Sequence, residues 1–119
     1  METPSLDLVR GTLDLLILKT LTWGPQHGYA IASAIKQSTE GALLVEEGAL
    51  YPALYRMEAK GWIEAEWGLS SNNRRAKYYS LSTEGRRRFK AEEMTWTAYA
   101  TAVGKLLSTT RPQTESAQS

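Results

Sequence analysis

The sequence predicts a mainly α-helical fold with a small β-wing and a long final helix. Three patterns predict it: apolar residues recur at helical spacing in three segments before residue 61, alternate with polar residues over 63–67 and 77–81, and form a heptad-like stripe after residue 88. Because 119 residues bury one modest core, the chain is expected to be one folding unit that a partner subunit would complete.

Composition excludes several classes of protein. The chain has no cysteine, which rules out disulfides and thiolate metal sites. Its one histidine, His27, makes neither a catalytic triad nor a zinc site, and its place at a helix start favours a structural role or a phosphate-facing donor. Without paired carboxylates or a Gly-rich phosphate loop, neither an enzyme nor a cofactor is expected. Lacking a signal peptide and a long apolar run, the protein is expected in the cytoplasm, away from membranes.

The first two helices are predicted over residues 6–21 and 28–38. The segment Trp23-Gly24-Pro25 stops the first helix, and Gly41 marks the end of the second. Residues 42–45 are short and apolar, so they are predicted to form a brief strand that pairs with the later hairpin.

A third helix is predicted from Gly48, with Pro52 near its first turn and Gly61 as a left-handed cap. Helical spacing places an apolar stripe toward the core, formed by Leu50, Ala53, Leu54 and Met57. The opposite side carries Tyr51, Tyr55, Arg56 and Ala59. This amphipathic rod therefore has one face available for a ligand or partner.

A β-hairpin follows, and Ile63, Ala65 and Trp67 are expected on its inner face, as are Tyr79 and Leu81 of its second strand. Residues 68–76 form its polar loop. Ser82 is expected to cap a last helix that reaches about residue 107. The predicted organisation is a DNA-binding unit over 1–82, a dimerisation helix over 83–107 and a disordered tail over 108–119.

Two uneven distributions in the second half of the chain point to partners. Half of the fourteen basic residues fall between positions 74 and 90: Arg74, Arg75, Lys77, Arg86, Arg87, Arg88 and Lys90. The final helix carries one apolar stripe, which predicts a dimer interface or a ligand site: Phe89, Trp96, Tyr99, Val103 and Leu106.

The order of these elements is that of a winged helix-turn-helix, in which the third helix enters the major groove and the hairpin contacts the flanking backbone. The candidate DNA-binding residues are Ala49, Tyr51, Tyr55, Arg56, Asn73, Arg74, Arg75 and Lys77. The phenols are suited to phosphates or base edges, and Arg56 is expected to bind a phosphate.

Some residues leave alternatives open. The run Arg86 to Arg88 opposes the helix dipole, so it either pairs with acids such as Glu84 or faces DNA or a partner. Glu46 and Glu47 repel a nearby phosphate, although one of them is expected to cap the third helix. The alternative function is a protein–protein interaction module without DNA binding, which the basic bias disfavours.

Five segments together resemble the PadR family of transcriptional regulators over residues 6–107: Leu13 to Leu21, His27-Gly28-Tyr29, Gly48 to Leu54, Gly61-Trp62-Ile63 and Arg74 to Leu81. The resemblance implies a homodimeric repressor on a palindromic DNA operator, with a single C-terminal helix making much of the dimer interface. It also implies that aromatic residues at this interface bind a small hydrophobic effector in some relatives. Many relatives carry Ser or Thr where this chain has Ala49.

Overall fold

The computed structural model describes Leu8 and residues 11–111, and most of the predicted tail lies outside them. The prediction that the first helix starts near residue 6 is wrong for the described residues, since the helix begins at Leu13 and Gly11 has a φ of 88°, which an α-helix does not allow. The elements in chain order are α1 Leu13–Leu21, β1 Gln26–His27, α2 Gly28–Ser38, α3 Glu47–Ala59, β2 Ile63–Leu69, β3 Arg75–Leu81 and α4 Thr83–Leu107. The predicted fold class is confirmed. Among the described helices, none combines the length and apolar character that a bilayer crossing requires.

The three strands form one antiparallel sheet in the order β1, β3, β2. The prediction of a strand over 42–45 is wrong, because Gln26–His27 pairs with β3 in its place. A turn in which Gly24 has a φ of 126° leads the chain back toward β3, and the Gln26 side-chain amide donates to the Thr20 carbonyl. The segment 42–45 forms only an isolated β-bridge at Leu43 and no strand, and it is apolar because Leu43 and Val45 pack against the core.

The core lies where α1, α2 and α3 meet the inner face of the sheet. The inward positions expected for the third helix and for Ile63, Tyr79 and Leu81 are confirmed. Within the described part of the chain, twelve buried apolar residues make up this core: Ile17, Leu18, Leu21, Ile31, Ile35, Leu50, Ala53, Leu54, Met57, Ile63, Tyr79 and Leu81.

A tight joint connects α4 to the corner that follows α3. Ser82 caps α4 as predicted, with its Oγ accepting from the Gly85 N–H at 3.0 Å, while its own N–H donates to the Trp62 carbonyl at 3.1 Å. Gly85 is buried against that same carbonyl. The Trp62 ring is flanked by Lys60 and Arg88, whose cationic groups lie 4.8 Å and 4.7 Å from its centroid. These contacts set the direction in which α4 leaves the rest of the fold.

The β-hairpin extends beyond the core. Ile63 is buried at its base and Ala65 is half-buried, but Trp67, two residues further on the same face, is 57% exposed. The expectation that Trp67 lies against the core is therefore wrong. Alternation gives the correct face, but the supporting helices end before the strand does.

Candidate nucleic-acid interface

We call residues 63–81 the wing. A cleft of about 490 Å³ separates its inner face from α3 and from the start of α2, and we call this space the wing cleft. It is lined by four of the residues predicted to bind DNA, namely Tyr51, Arg74, Arg75 and Lys77. The other four candidates are not among the residues that line this cleft.

The two faces of the wing differ in charge. Side chains alternate between the faces of a strand, and the register pairs residue 67 with 77 and residue 69 with 75. The face toward the cleft therefore carries two cations and two large apolar side chains: Trp67, Leu69, Arg75 and Lys77. Glu64 and Glu66 lie on the opposite face. An anion is attracted to one face only.

The tip of the wing is a shaped turn. The Ser70 N–H donates to the Arg74 carbonyl at 2.8 Å, and the Asn73 N–H donates to the Ser70 carbonyl at 2.9 Å. Asn73 adopts a left-handed conformation with a φ of 63°, which asparagine tolerates better than most residues. The turn leaves the side chains of Asn73 and Arg74 exposed.

The opposite wall of the cleft contains the start of α2. The His27 Nδ1 accepts from the Ala30 N–H at 3.2 Å and so caps α2. A structural role for His27 is thus present. A Cβ at Gly28 would lie 2.6 Å from the Tyr51 hydroxyl, so a larger residue there would displace the Tyr51 ring. The contact places the Tyr51 phenol at the start of α2.

The floor of the cleft contains Tyr79 and Lys77. Burial raises the pKa of the Tyr79 phenol above its usual value of 10.0, and the nearby Lys77 opposes that shift. The Lys77 Nζ lies 3.3 Å from a Glu58 carboxylate oxygen on α3. This ion pair connects the wing to α3 across the floor of the cleft.

The outward side of α3 is composed mainly of small residues, since Gly48, Ala49 and Pro52 are exposed together with Tyr55, which is 76% exposed. Arg56 is directed elsewhere. Its guanidinium donates to both carboxylate oxygens of Asp14 on α1, at 2.9 Å and 3.2 Å. The sequence pattern did not foresee this acidic partner.

The charged residues with open alternatives are now placed. Glu46 occupies the N-cap position of α3 but its side chain makes no capping hydrogen bond, and Glu47 lies in the first turn, where a carboxylate favours the helix dipole. Arg87 pairs with Glu84 and Arg88 with Glu92, each at 2.8 Å. For two of the three arginines, pairing with an acid is therefore the arrangement found.

A second cleft, of about 350 Å³, lies between α1 and α4. Leu15 lines it from α1, and Glu92, Trp96 and Tyr99 line it from α4. The Trp96 and Tyr99 rings are 6.3 Å apart and remain partly exposed. Phe89 differs from the rest of the predicted stripe because it packs against the core of its own chain.

Comparison with known proteins decides the family. Residues 17–91 match the model of the transcriptional regulator PadR-like family. The chain belongs to the PadR family. An uncharacterized protein from Lysinibacillus sphaericus is 34% identical over 80 residues, which span 67% of this chain and 73% of that protein.

Solved PadR structures share the fold. A PadR family regulator from Eggerthella lenta is 34% identical with a TM-score of 0.71, over 84% of this chain and 85% of that one. A transcriptional regulator from Clostridium thermocellum is 30% identical with a TM-score of 0.73, over 81% and 93% of the two chains. The protein is therefore a DNA-binding transcriptional regulator of the PadR family and not an enzyme.

Three features of the wing cleft were missed from the sequence. They are the capping role of His27, the close approach of Gly28 to Tyr51, and the presence of Trp67 on the cleft-facing side. Only the position of Trp67 could have been predicted from a sequence pattern. Trp67 directly precedes a polar loop, so it must lie near the end of its strand. The His27 cap is a local contact within α2, but histidine is not among the usual N-cap residues. The approach of Gly28 to Tyr51 depends on how α2 and α3 cross.

Proposed function

We propose that this PadR protein is a homodimeric repressor that binds a palindromic operator, with α3 in the major groove and the wing on the adjacent backbone. The observation that carries the proposal is the wing cleft, in which Arg74, Arg75 and Lys77 lie opposite Tyr51. Lys77 is paired with Glu58, whereas Arg74 and Arg75 form no ion pair with any described residue, and neighbouring cations repel each other unless an anion is bound there. A sugar–phosphate strand supplies that anion.

The charge difference between the wing faces supports one orientation of the DNA. Phosphates are attracted to the side of Arg75 and Lys77 and repelled from the side of Glu64 and Glu66. The backbone strand is then held between the wing and the start of α2, where the Tyr51 hydroxyl is available to donate a hydrogen bond.

The proposed base contacts come from the outward side of α3. Ala49 and Pro52 present apolar surface suited to thymine methyl groups, and Tyr55 adds a phenol within the same groove. Arg56 is proposed to bind phosphate only when Asp14 releases it. In the free protein, the bidentate pair of Arg56 with Asp14 is proposed to fix the position of α3 against α1.

Dimerisation is proposed through α4, whose apolar side chains are exposed in the single chain. Trp96 is 38% exposed, and Tyr99 and Leu106 are more so. Such a stripe on a 25-residue helix matches the seam of a helix pair. Two copies joined in this way would place two α3 helices about 34 Å apart, as successive major grooves require. A dimer bound at the promoter would then repress transcription by occupying that DNA.

Truncating Trp96 tests this interface. We expect Trp96→Ala to raise the dimer dissociation constant by at least about 100-fold, because removing a buried tryptophan costs about 3 to 5 kcal/mol. Met94→Ala is the matched control, since Met94 is an exposed apolar residue of the same helix outside the stripe. Sedimentation equilibrium measures both variants, and equal dissociation constants for the two would contradict the α4 interface.

A small hydrophobic effector is proposed to bind between α1 and α4. The cleft there presents Leu15, Trp96 and Tyr99, which suit a flat apolar molecule. Such a ligand would relieve repression only by favouring a dimer geometry with the wrong α3 spacing, because a ligand shifts an equilibrium through differential binding.

Duplex binding measured across salt concentrations tests the DNA-binding proposal directly. Counterion release predicts a slope of log K against log salt of about −0.9 for each phosphate contact, so several contacts give a slope of about −4 or steeper. If the protein bound duplex DNA without salt dependence or not at all, the winged-helix protein–protein module would be the better description.

A further inference from the structure

We propose that Trp67 is a DNA-contacting residue that packs its indole ring on the sugar–phosphate strand held in the wing cleft. The inference rests on the proposed DNA binding and adds an uncharged aromatic contact to a site otherwise defined by cations. It concerns the backbone and needs no particular operator sequence.

The first support is the exposure of a large apolar side chain. Trp67 is 57% exposed, although the strand alternation directs it to the inner face of the wing. Leu69 follows on that face and is also exposed. Two large apolar side chains in water at the end of a hairpin cost free energy unless another surface covers them.

The second support is the location of the ring. Trp67 lines the wing cleft together with Tyr51, Arg75 and Lys77. A strand bound by the two cations therefore passes beside the indole. Deoxyribose offers C–H groups that pack on an aromatic face, and the indole N–H is a donor that suits a phosphate oxygen.

The third support is the contact between Trp67 and Arg75. The Arg75 guanidinium carbon lies 4.5 Å from the centroid of the indole ring. Stacking of this kind orders the guanidinium without using its N–H donors, so they stay available to a phosphate. Trp67 and Arg75 thus form a pair that is arranged before DNA arrives.

A competing explanation gives Trp67 only a positioning role, in which it acts by holding Arg75. The two explanations differ in a measurable way. A direct contact persists when Arg75 is absent, whereas a positioning role disappears with it. Removing an uncharged contact also leaves the number of released counterions unchanged.

The experiment measures fluorescence anisotropy with a labelled mixed-sequence duplex of about 30 base pairs, roughly three helical turns, between about 50 and 200 mM salt. Trp67→Ala is compared with Trp23→Ala in the full chain. Trp23 is equally exposed at 57% and carries a cation over its ring, Lys19 at 5.8 Å, but it does not line the wing cleft. Both changes are repeated in an Arg75→Ala background.

We expect Trp67→Ala to raise the Kd by about 10-fold with an unchanged salt slope, in both backgrounds, and Trp23→Ala to leave the Kd unchanged. An unchanged Kd for Trp67→Ala, or an effect that vanishes in the Arg75→Ala background, overturns the inference while the DNA-binding proposal stands. A wild-type protein that binds no duplex overturns both.

Intrinsic fluorescence gives an independent measurement with milder substitutions. If Trp67 packs on DNA, Trp67→Phe should remove most of the emission change that duplex addition causes, and Trp23→Phe should retain it. Equal emission changes in the two variants would contradict a contact at Trp67. Phenylalanine keeps an aromatic ring at each position, so this comparison holds even if the alanine variant of residue 67 fails to fold.

Discussion

Replacing Arg74, Arg75 and Lys77 together by alanine is expected to weaken duplex binding by about 100-fold or more near 0.1 M salt, and to do so for all DNA sequences alike. The three cations lie on one wall of the wing cleft. Each phosphate contact that is lost releases one counterion fewer, so the slope of log K against log salt should become shallower by about 2.7. Anisotropy titrations across salt measure both quantities.

A matched variant separates local contacts from overall charge. Replacing Lys36, Lys105 and Arg111 by alanine also removes three positive charges, but none of these residues lines the cleft. We expect this control to keep nearly the full salt slope. Equal losses of affinity in the two triple variants would show that net charge governs binding and would remove the wing cations from the site.

Gly85→Ala is expected to destabilise the fold by about 3 kcal/mol, because the added Cβ would lie 1.9 Å from the Trp62 carbonyl oxygen. That oxygen belongs to the backbone of the joint and accepts from the Ser82 N–H, so it cannot move alone. The gain of up to about 1 kcal/mol that alanine brings to a helix interior is smaller than this cost. Urea unfolding at fixed protein concentration measures the difference.

Gly104→Ala is the matched control within the same helix. A Cβ at Gly104 would meet no atom within 4 Å, so the substitution should stabilise α4 by about 0.5 to 1 kcal/mol. If both variants shifted the unfolding midpoint in the same direction and by the same amount, the close packing of Gly85 against the Trp62 carbonyl would not explain why position 85 needs glycine.

Local patterns predicted much of this fold. The boundaries of α2, α3 and α4 agree with the predicted ones to within a residue or two, because each begins or ends at a residue with a local backbone preference, such as Ser82 at the cap of α4. The inward stripe of α3 agrees for a similar reason, since a 3.6-residue period allows one apolar face.

The errors share a physical cause. The strand that pairs with the hairpin was predicted over 42–45 instead of over Gln26–His27. A two-residue strand such as β1 has no period of its own and forms only where β3 is available to pair with it. The Asp14 partner of Arg56 was missed for the same reason, because the two residues lie 42 positions apart and meet only through the crossing of α1 and α3. Trp67 was placed against the core because alternation predicts the face of a strand and not the point at which the core ends.

For the candidate site, composition and order indicated which elements and which cations would face DNA. The sequence by itself determined the family, the helix and strand types and the concentration of positive charge between residues 74 and 90, since all of these depend on local preference and spacing. The tertiary structure alone decided that Tyr51, Trp67 and Arg75 line one cleft and that Arg56 is held by Asp14. Contacts between residues far apart in the chain depend on how elements cross, and no periodicity within one element contains that information.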